Sequence, residues 1–331
     1  MSGPDGAEVA RRAVLLGAGA ALPPGEVTND DLAQRVDTSD AWIRERTGIE
    51  ARRIAGNDQR TSDLAAEAGR AALADAALTP DDIDLVVVGT ATPDLTFPAT
   101  AAITQGKLGI TRGAAFDVHA VCTGFVYALS TATAFLETGQ HRRALVIGAE
   151  TFSRIVDWED RSTCVLFGDG AGAWVLEARD VPQGEAHGVL ASVLRCDGRL
   201  TDLLYVDGGP SATQTTGQLR MQGNKVFKEA VGRISDAMVT ASEQSGVPLS
   251  EVDWFVPHQA NQRIIGGVVK RLSLDAGKVV STIARHGNTS AASIPLAFDV
   301  ARRDGRIRAG DTVMICGMGG GLTWGAAILT V

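Results

Sequence analysis

Short, unbroken apolar runs recur along the chain, among them Leu85–Val88 and Leu145–Ile147, and longer stretches with helical spacing lie between them. Continuous rather than alternating apolar strands are expected where a sheet is covered on both faces. From Ser62 to Leu78, the residues Leu64, Ala65, Ala68, Ala72 and Leu73 fall on one face of a predicted helix, and Val226 to Ser245 reads likewise. Strands alternating with helices predict a layered α/β fold. The pattern also repeats: Asp82-Ile83-Asp84-Leu85-Val86-Val87 resembles Glu251-Val252-Asp253-Trp254-Phe255-Val256 at an offset of 169 residues, and the same offset carries Val146-Ile147-Gly148 onto Ile315-Cys316-Gly317. Two separate strand patterns recurring in step predict two similar halves, which we divide as residues 1–180 and 181–331.

One apolar run changes its period partway. Phe116, Val118 and Ala120 alternate with Asp117, His119 and Val121 in an extended segment, whereas after Cys122 the residues Phe125, Leu129, Ala132 and Leu136 follow helical spacing until Gly139 closes the helix. Cys122 thus falls at a strand-to-helix turn. Unpaired N–H groups at a helix start lower a thiol's pKa and can bind a developing oxyanion. The remaining cysteines, Cys164, Cys196 and Cys316, carry no such signal and read as ordinary small hydrophobes or surface residues.

Composition narrows the function classes. The 331 residues are 45% hydrophobic and 21% charged with a net charge of -8, an ordinary globular balance that argues against nucleic acid as the main partner. The four cysteines are too widely spaced for a zinc cluster and too few for a disulfide framework in so long a chain, so no metal is expected and a reducing, cytoplasmic compartment is. Arg11-Arg12 followed by an apolar run resembles a secretory leader, but Glu8 before the pair and Leu22-Pro23-Pro24-Gly25 after it favour a buried first strand. No segment approaches the roughly 18 apolar residues of a membrane span, so no membrane partner is expected.

A nucleophilic cysteine needs partners. Of five histidines, His119 points to the opposite face of the Cys122 segment, and His141 and His187 lie in polar connections. His258 closes the strand Trp254–Pro257, at the carboxyl end where α/β sites collect. His286 lies in the polar turn 285–293, read alone as a capped helix start, which contributes the amide of Asn288. The loop 316–322 is glycine-rich and lets backbone N–H groups approach a ligand, but it lacks the ending of a phosphate loop.

Together, Val-Pro-His-Gln-Ala-Asn at 256–261, Gly-Asn-Thr-Ser-Ala-Ala-Ser-Ile-Pro at 287–295, Phe-Gly-Asp-Gly-Ala-Gly-Ala at 167–173 and the Gly-Gly-Gly-Leu-Thr-Trp-Gly ending resemble the β-ketoacyl-acyl-carrier-protein synthase III family, from about Val14 to the C-terminus. The resemblance implies a thiolase-like αβαβα sandwich of two similar halves, assembled as a homodimer, that needs no cofactor. It implies condensation of a short acyl-CoA primer, such as acetyl-CoA, with malonyl-acyl-carrier protein, initiating type II fatty acid synthesis. By that resemblance Cys122 carries the acyl group, His258 and Asn288 bind the malonyl thioester, and the backbone N–H groups of Cys122 and Gly320 form an oxyanion hole. Trp42, Arg46 and Arg161 match residues around the CoA adenine, Asn261 a pantetheine-channel residue, and Phe97 a residue closing the acyl pocket from the partner subunit. Lys228, Arg263, Lys270 and Arg271 match a basic patch that docks the acidic carrier protein.

The sequence departs from the family at Met318, where phenylalanine is usual and which leaves the malonyl pocket's shape open, and at Val121 and Thr123. Three other classes stay open: a synthase III-like enzyme that primes secondary metabolism, a Cys-His-Asn thioester hydrolase in which histidine is the base, and a non-catalytic scaffold.

Overall fold

The computed structural model describes residues 9–182 and 184–331, so Glu8 and the start of the first half lie outside the described residues. Nine strands make two sheets: β1 (Val9–Ala21), β2 (Leu85–Gly89), β3 (Ala114–Val118), β4 (Arg143–Glu150) and β5 (Gly170–Pro182) in the first, and β6 (Gly188–Cys196), β7 (Trp254–Pro257), β8 (Thr312–Gly319) and β9 (Thr323–Thr330) in the second. The first sheet is ordered β1-β5-β4-β2-β3 and the second β7-β8-β9-β6. In the first, β2 runs parallel to both β3 and β4 while β5 is antiparallel to β4 and β1; in the second, β7 and β8 are parallel and β9 is antiparallel to β8 and β6. The second sheet therefore repeats the first strand for strand, except that β3 is reduced to a single parallel bridge between Phe255 and Val279. β5 ends at Pro182, two residues past the division at 180.

The offset of 169 residues extends beyond the two strand pairs that suggested it. β2 begins at Leu85 and β7 at Trp254; β4 begins at Arg143 and β8 at Thr312. Helix α3 (Gly124–Glu137) follows the turn Val121–Thr123, and helix α6 (Ser293–Arg303) follows the turn Ser290–Ala292 at that same spacing. Each turn opens on a non-glycine residue with φ of 48°, Val121 and Ser290. Two residues held in this sparsely populated region, one of them β-branched, mark both turns as constrained by their surroundings.

Five layers result. Helix α2 (Thr61–Asp75) covers the outer face of the first sheet with Leu64, Ala65, Ala68, Ala72 and Leu73, the face the spacing predicts. Helix α4 (Gly223–Ser245) covers the second sheet, and α5 (Gln262–Leu272) packs beside it. Between the sheets lie α3 and α6, whose apolar faces form a core with Leu85, Val87, Val146, Val313 and Ile315. Trp174 of β5 touches both central helices: its ring lies 4.9 Å from that of Phe125 on α3, edge-on, and 4.6 Å from that of Phe298 on α6. Edge-to-face and tilted packing at these distances adds about 0.5–1.5 kcal/mol per pair beyond burial. Gly148 lets α6 approach, since a Cβ there would stand 2.2 Å from the carbonyl oxygen of Ala291.

Candidate active site

The two constrained turns meet where the halves join. Cys122 lies in the first, within a buried 3-10 turn just ahead of α3. A Cβ on Gly124 would come to 3.1 Å of the Ala291 Cβ, so the start of α3 lies against the start of α6. The end of β8 approaches from a third side: a Cβ on Gly317 would meet both the Cβ of His258, at 3.1 Å, and the carbonyl of Cys122, at 3.5 Å, and one on Gly319 would stand 2.7 Å from the Cys122 nitrogen. Only glycine allows this approach to the nucleophile's own N–H. Thr323 ties the glycine loop to the turn, donating from its hydroxyl to the Ala120 carbonyl at 3.0 Å, while the Thr123 hydroxyl donates to the Thr323 carbonyl at 3.0 Å.

His258 follows β7, its N–H donating to the Cys316 carbonyl at 2.7 Å. The ring is buried, and its Nδ1 lies 2.6 Å from the hydroxyl oxygen of Ser293, the first residue of α6. That oxygen also accepts the Gln259 N–H at 3.2 Å, and among the described residues Nδ1 is the only acceptor within hydrogen-bonding distance of the hydroxyl, which assigns the hydroxyl proton to Nδ1 and the ring's own proton to Nε2. Burial drives the ring pKa down to about 3, which keeps the imidazole neutral.

Asn288 is fixed through its backbone, donating to the Leu166 carbonyl at 2.8 Å and accepting from Gly168 at 3.0 Å. Its side-chain oxygen accepts the Ser290 N–H at 2.9 Å, which turns the amide N–H groups away as donors. The structure thus brings Cys122, His258 and Asn288 into one buried region at the junction of the halves. There it presents a sulfur and two oriented neutral N–H donors.

The thiol departs from the sequence expectation of a lowered pKa at a helix start. Burial pushes Cys122 up to about 12, and the carboxylate of Glu150 pushes the same way; the Ser290 hydroxyl and the cysteine's own N–H pull it down without prevailing. In the resting site desolvation outweighs the helix terminus. Ser290, Ser293, Glu150 and Thr323 are neighbours to which sequence reasoning assigned no role, although Glu150, a carboxylate ending a buried apolar strand, carried a visible signal.

Farther out, helix α1 (Asp40–Thr47) carries Trp42 with the guanidinium of Arg46 over its ring at 4.6 Å, and Arg161 reaches the same ring at 4.7 Å. Asn261 caps α5, accepting the Arg263 N–H at 2.8 Å, and its amide donates to the Arg46 carbonyl at 3.2 Å. Lys228 on α4 and Arg263, Lys270 and Arg271 on α5 are exposed on adjoining helices, Arg271 facing Asp236 at 3.5 Å. Met318 is buried in β8, and Phe97 is 82% exposed. His119 is exposed, whereas His141 and His187 are partly buried; the His141 ring packs on Phe135 at 5.5 Å rather than lying free on the surface.

Two family models match the chain. One, described as 3-oxoacyl-[acyl-carrier-protein (ACP)] synthase III, covers residues 116–198, and the other, the C terminal part of the same enzyme, covers residues 242–331. A β-ketoacyl-[acyl-carrier-protein] synthase III from Erythrobacter litoralis is 60% identical over 96% of this chain and 99% of its own. The chain belongs to the β-ketoacyl-acyl-carrier-protein synthase III family. It has the thiolase fold and is a condensing enzyme of the acyltransferase class. Among solved structures, 3-oxoacyl-[acyl-carrier-protein] synthase III from Aquifex aeolicus superposes with a TM-score of 0.90 at 43% identity, covering 96% of this chain and all of that one. The priming β-ketosynthase of the R1128 polyketide pathway gives 0.91 at 36% identity, covering 97% of each.

Proposed function

We propose that this chain condenses a short acyl-CoA primer with malonyl-acyl-carrier protein, releasing CO₂ and CoA and giving 3-oxoacyl-acyl-carrier protein, the initiating step of type II fatty acid synthesis. The observation that carries this reading is the pair of oriented neutral donors, the Nε2–H of His258 and the amide of Asn288, beside the buried Cys122.

In this mechanism Cys122 attacks the primer thioester and CoA leaves, with the oxyanion held by the N–H groups of Cys122 and Gly320. The malonyl thioester then lies with its carbonyl on His258 and Asn288. Loss of CO₂ leaves an enolate that two neutral donors stabilise without taking a full proton, each such donor being worth roughly 3–4 kcal/mol in acyl-transfer sites. The enolate carbon attacks acyl-Cys122, and the tetrahedral oxyanion returns to the same two N–H groups. Burial makes the imidazolium of His258 strongly acidic, so the ring suits donation from its neutral form better than the proton uptake that a hydrolase base performs.

Trp42 with Arg46 and Arg161 forms the platform for the CoA adenine, Asn261 borders the pantetheine arm, and Met318 shapes the malonyl pocket. The exposed cations Lys228, Arg263, Lys270 and Arg271 receive the carrier protein. Exposed Phe97 and Leu95 support a homodimer in which Phe97 closes the partner's acyl pocket. Four free cysteines support a cytoplasmic site of action, and no helix among the described residues is long and apolar enough to cross a membrane.

Half-reactions test the proposal. With a panel of acyl-CoAs and intact-mass detection, Cys122→Ala forms no acyl-enzyme, while His258→Ala and Asn288→Ala acylate normally and lose malonyl decarboxylation. Stoichiometric acylation of Cys122→Ala, or equal loss of both half-reactions in the other two, overturns the assignment. The similarity to the R1128 priming enzyme supports a second reading, priming of a secondary-metabolite pathway, and the same panel decides it by primer preference.

A further inference from the structure

The condensation described above leaves one buried acid of the site without a role. Glu150 ends β4 with no exposed surface, and its carboxylate accepts from the Thr92 hydroxyl at 2.5 Å, the Ala91 N–H at 3.1 Å, the Thr90 hydroxyl at 3.3 Å and the Ser290 hydroxyl at 2.9 Å. The turn that Ser290 opens packs against the turn that holds Cys122, which sets the Ser290 hydroxyl beside the thiol. Three side chains from three elements thus form one chain: thiol, hydroxyl, carboxylate.

A hydroxyl has one proton to give. While Glu150 is ionised, Ser290 donates to it and accepts from the thiol, which holds Cys122 as S–H. Once Glu150 carries a proton, it can donate to Ser290, and Ser290 is free to donate to a thiolate. The two ends are also too deeply buried to bear two negative charges together.

We propose that Cys122, Ser290 and Glu150 form a proton relay in which Glu150 takes up the proton that Cys122 releases on becoming a nucleophile. The S–H bond of Cys122 breaks and its proton passes to the Ser290 oxygen, while the original Ser290 O–H breaks and that proton joins Glu150. One negative charge moves from carboxylate to sulfur and none is created. When the primer's CoA thiolate leaves, the reverse transfer through Ser290 protonates it and restores the carboxylate. This rests on Cys122 being the acyl carrier. His258 is a poor alternative acceptor, since Ser293 engages its Nδ1 and burial keeps it neutral. Burial lifts Glu150 to about 7 against the bonds from Thr92, Ser290, Ala91 and Ala291, so it can hold a proton near neutrality. Among the described residues, the titratable groups facing this centre are Cys122 from the turn before α3 and His258 from the end of β7. Residues 90–92 and the turn before α6 present only hydroxyls and amides.

Two coupled sites titrate as a pair, and this sets the test. Carboxamidomethylation of Cys122 by iodoacetamide, followed by peptide mass spectrometry across pH 5.5–9, reads thiolate population without any acyl-CoA. In the native protein the rate rises to about pH 7 and then flattens, because the pair has by then lost one of its two protons and the division of the remaining one between sulfur and carboxylate does not depend on pH. In Glu150→Gln the flat segment disappears: the rate matches the native one at pH 6 and exceeds it about tenfold at pH 8. Glu150→Asp restores the flattening. Ser290→Ala, which keeps both ends, lowers the rate about tenfold at pH 8 by removing the donor to the thiolate. Superimposable profiles for native and Glu150→Gln, or an unchanged rate in Ser290→Ala, overturn the relay. Acylation of the same samples by acetyl-CoA separates the two readings: a flat profile without acylation sinks the acyl-carrier assignment alone, and acylation without a flat profile sinks the relay alone.

Discussion

Ser293→Ala should disable decarboxylation while leaving the nucleophile intact. Its hydroxyl has two partners, the His258 Nδ1 at 2.6 Å and the Gln259 N–H at 3.2 Å, and it is itself buried. Alanine fills nearly the same volume, so little packing is lost, but both partners are left without a bond. Each orphaned buried group costs about 1–3 kcal/mol. The Gln259 N–H is a ground-state loss and lowers stability. The His258 loss acts on the reaction, because an imidazole without a partner at Nδ1 no longer keeps its proton on Nε2 and is free to rotate. About 1–3 kcal/mol of lost orientation corresponds to a fall of roughly 5- to 150-fold in the malonyl half-reaction. The assay follows CO₂ release from malonyl-acyl-carrier protein, with intact-mass acylation of Cys122 measured in parallel. Decarboxylation at the native rate would refute the tautomer argument, and an equal fall in both half-reactions would show that Ser293 supports the whole site and does not orient one ring.

Other substitutions probe the periphery. Trp42→Ala removes the ring on which the adenine stacks, and at about 1–3 kcal/mol for a base on an aromatic side chain the KM for acyl-CoA should rise roughly 5- to 150-fold with kcat little changed; a fall in kcat alone would contradict this. Gly148→Ala forces a Cβ against the Ala291 backbone carbonyl, and overpacking of this kind costs about 1–3 kcal/mol, visible in denaturant unfolding; an unchanged midpoint would show that the central helices yield. Reversing Lys270 and Arg271 to glutamate should raise the KM for malonyl-acyl-carrier protein, most at low salt, while leaving primer acylation untouched; an effect independent of ionic strength would remove the electrostatic explanation.

Periodicity was enough to find the layers, because a strand covered on both faces and a helix with one buried stripe leave different marks. The repeat was legible for the same reason, since β2 and β4 recur as β7 and β8 with the spacing intact. Cys122 could be placed at a helix start, yet its protonation could not be foreseen: desolvation depends on atoms contributed by β4, α6 and the glycine loop, none near it in sequence. Ser290 and Ser293 escaped notice because their partners, Glu150 and His258, lie 140 and 35 residues away. Small polar residues at a helix start look alike whether they cap the helix or orient a ring.

Trp174 gives the central layer a further meaning. Its indole is wedged against Phe125, three positions after the nucleophile, and against Phe298, on the helix that Ser293 begins. The turn that bears the sulfur leads into one helix, and Ser290 and Ser293 stand at the head of the other, so this ring sets the spacing across which they meet. A side chain with no contact to substrate is in that sense a tolerance on the reaction coordinate, and repacking at position 174 would appear as altered turnover before it appeared as unfolding.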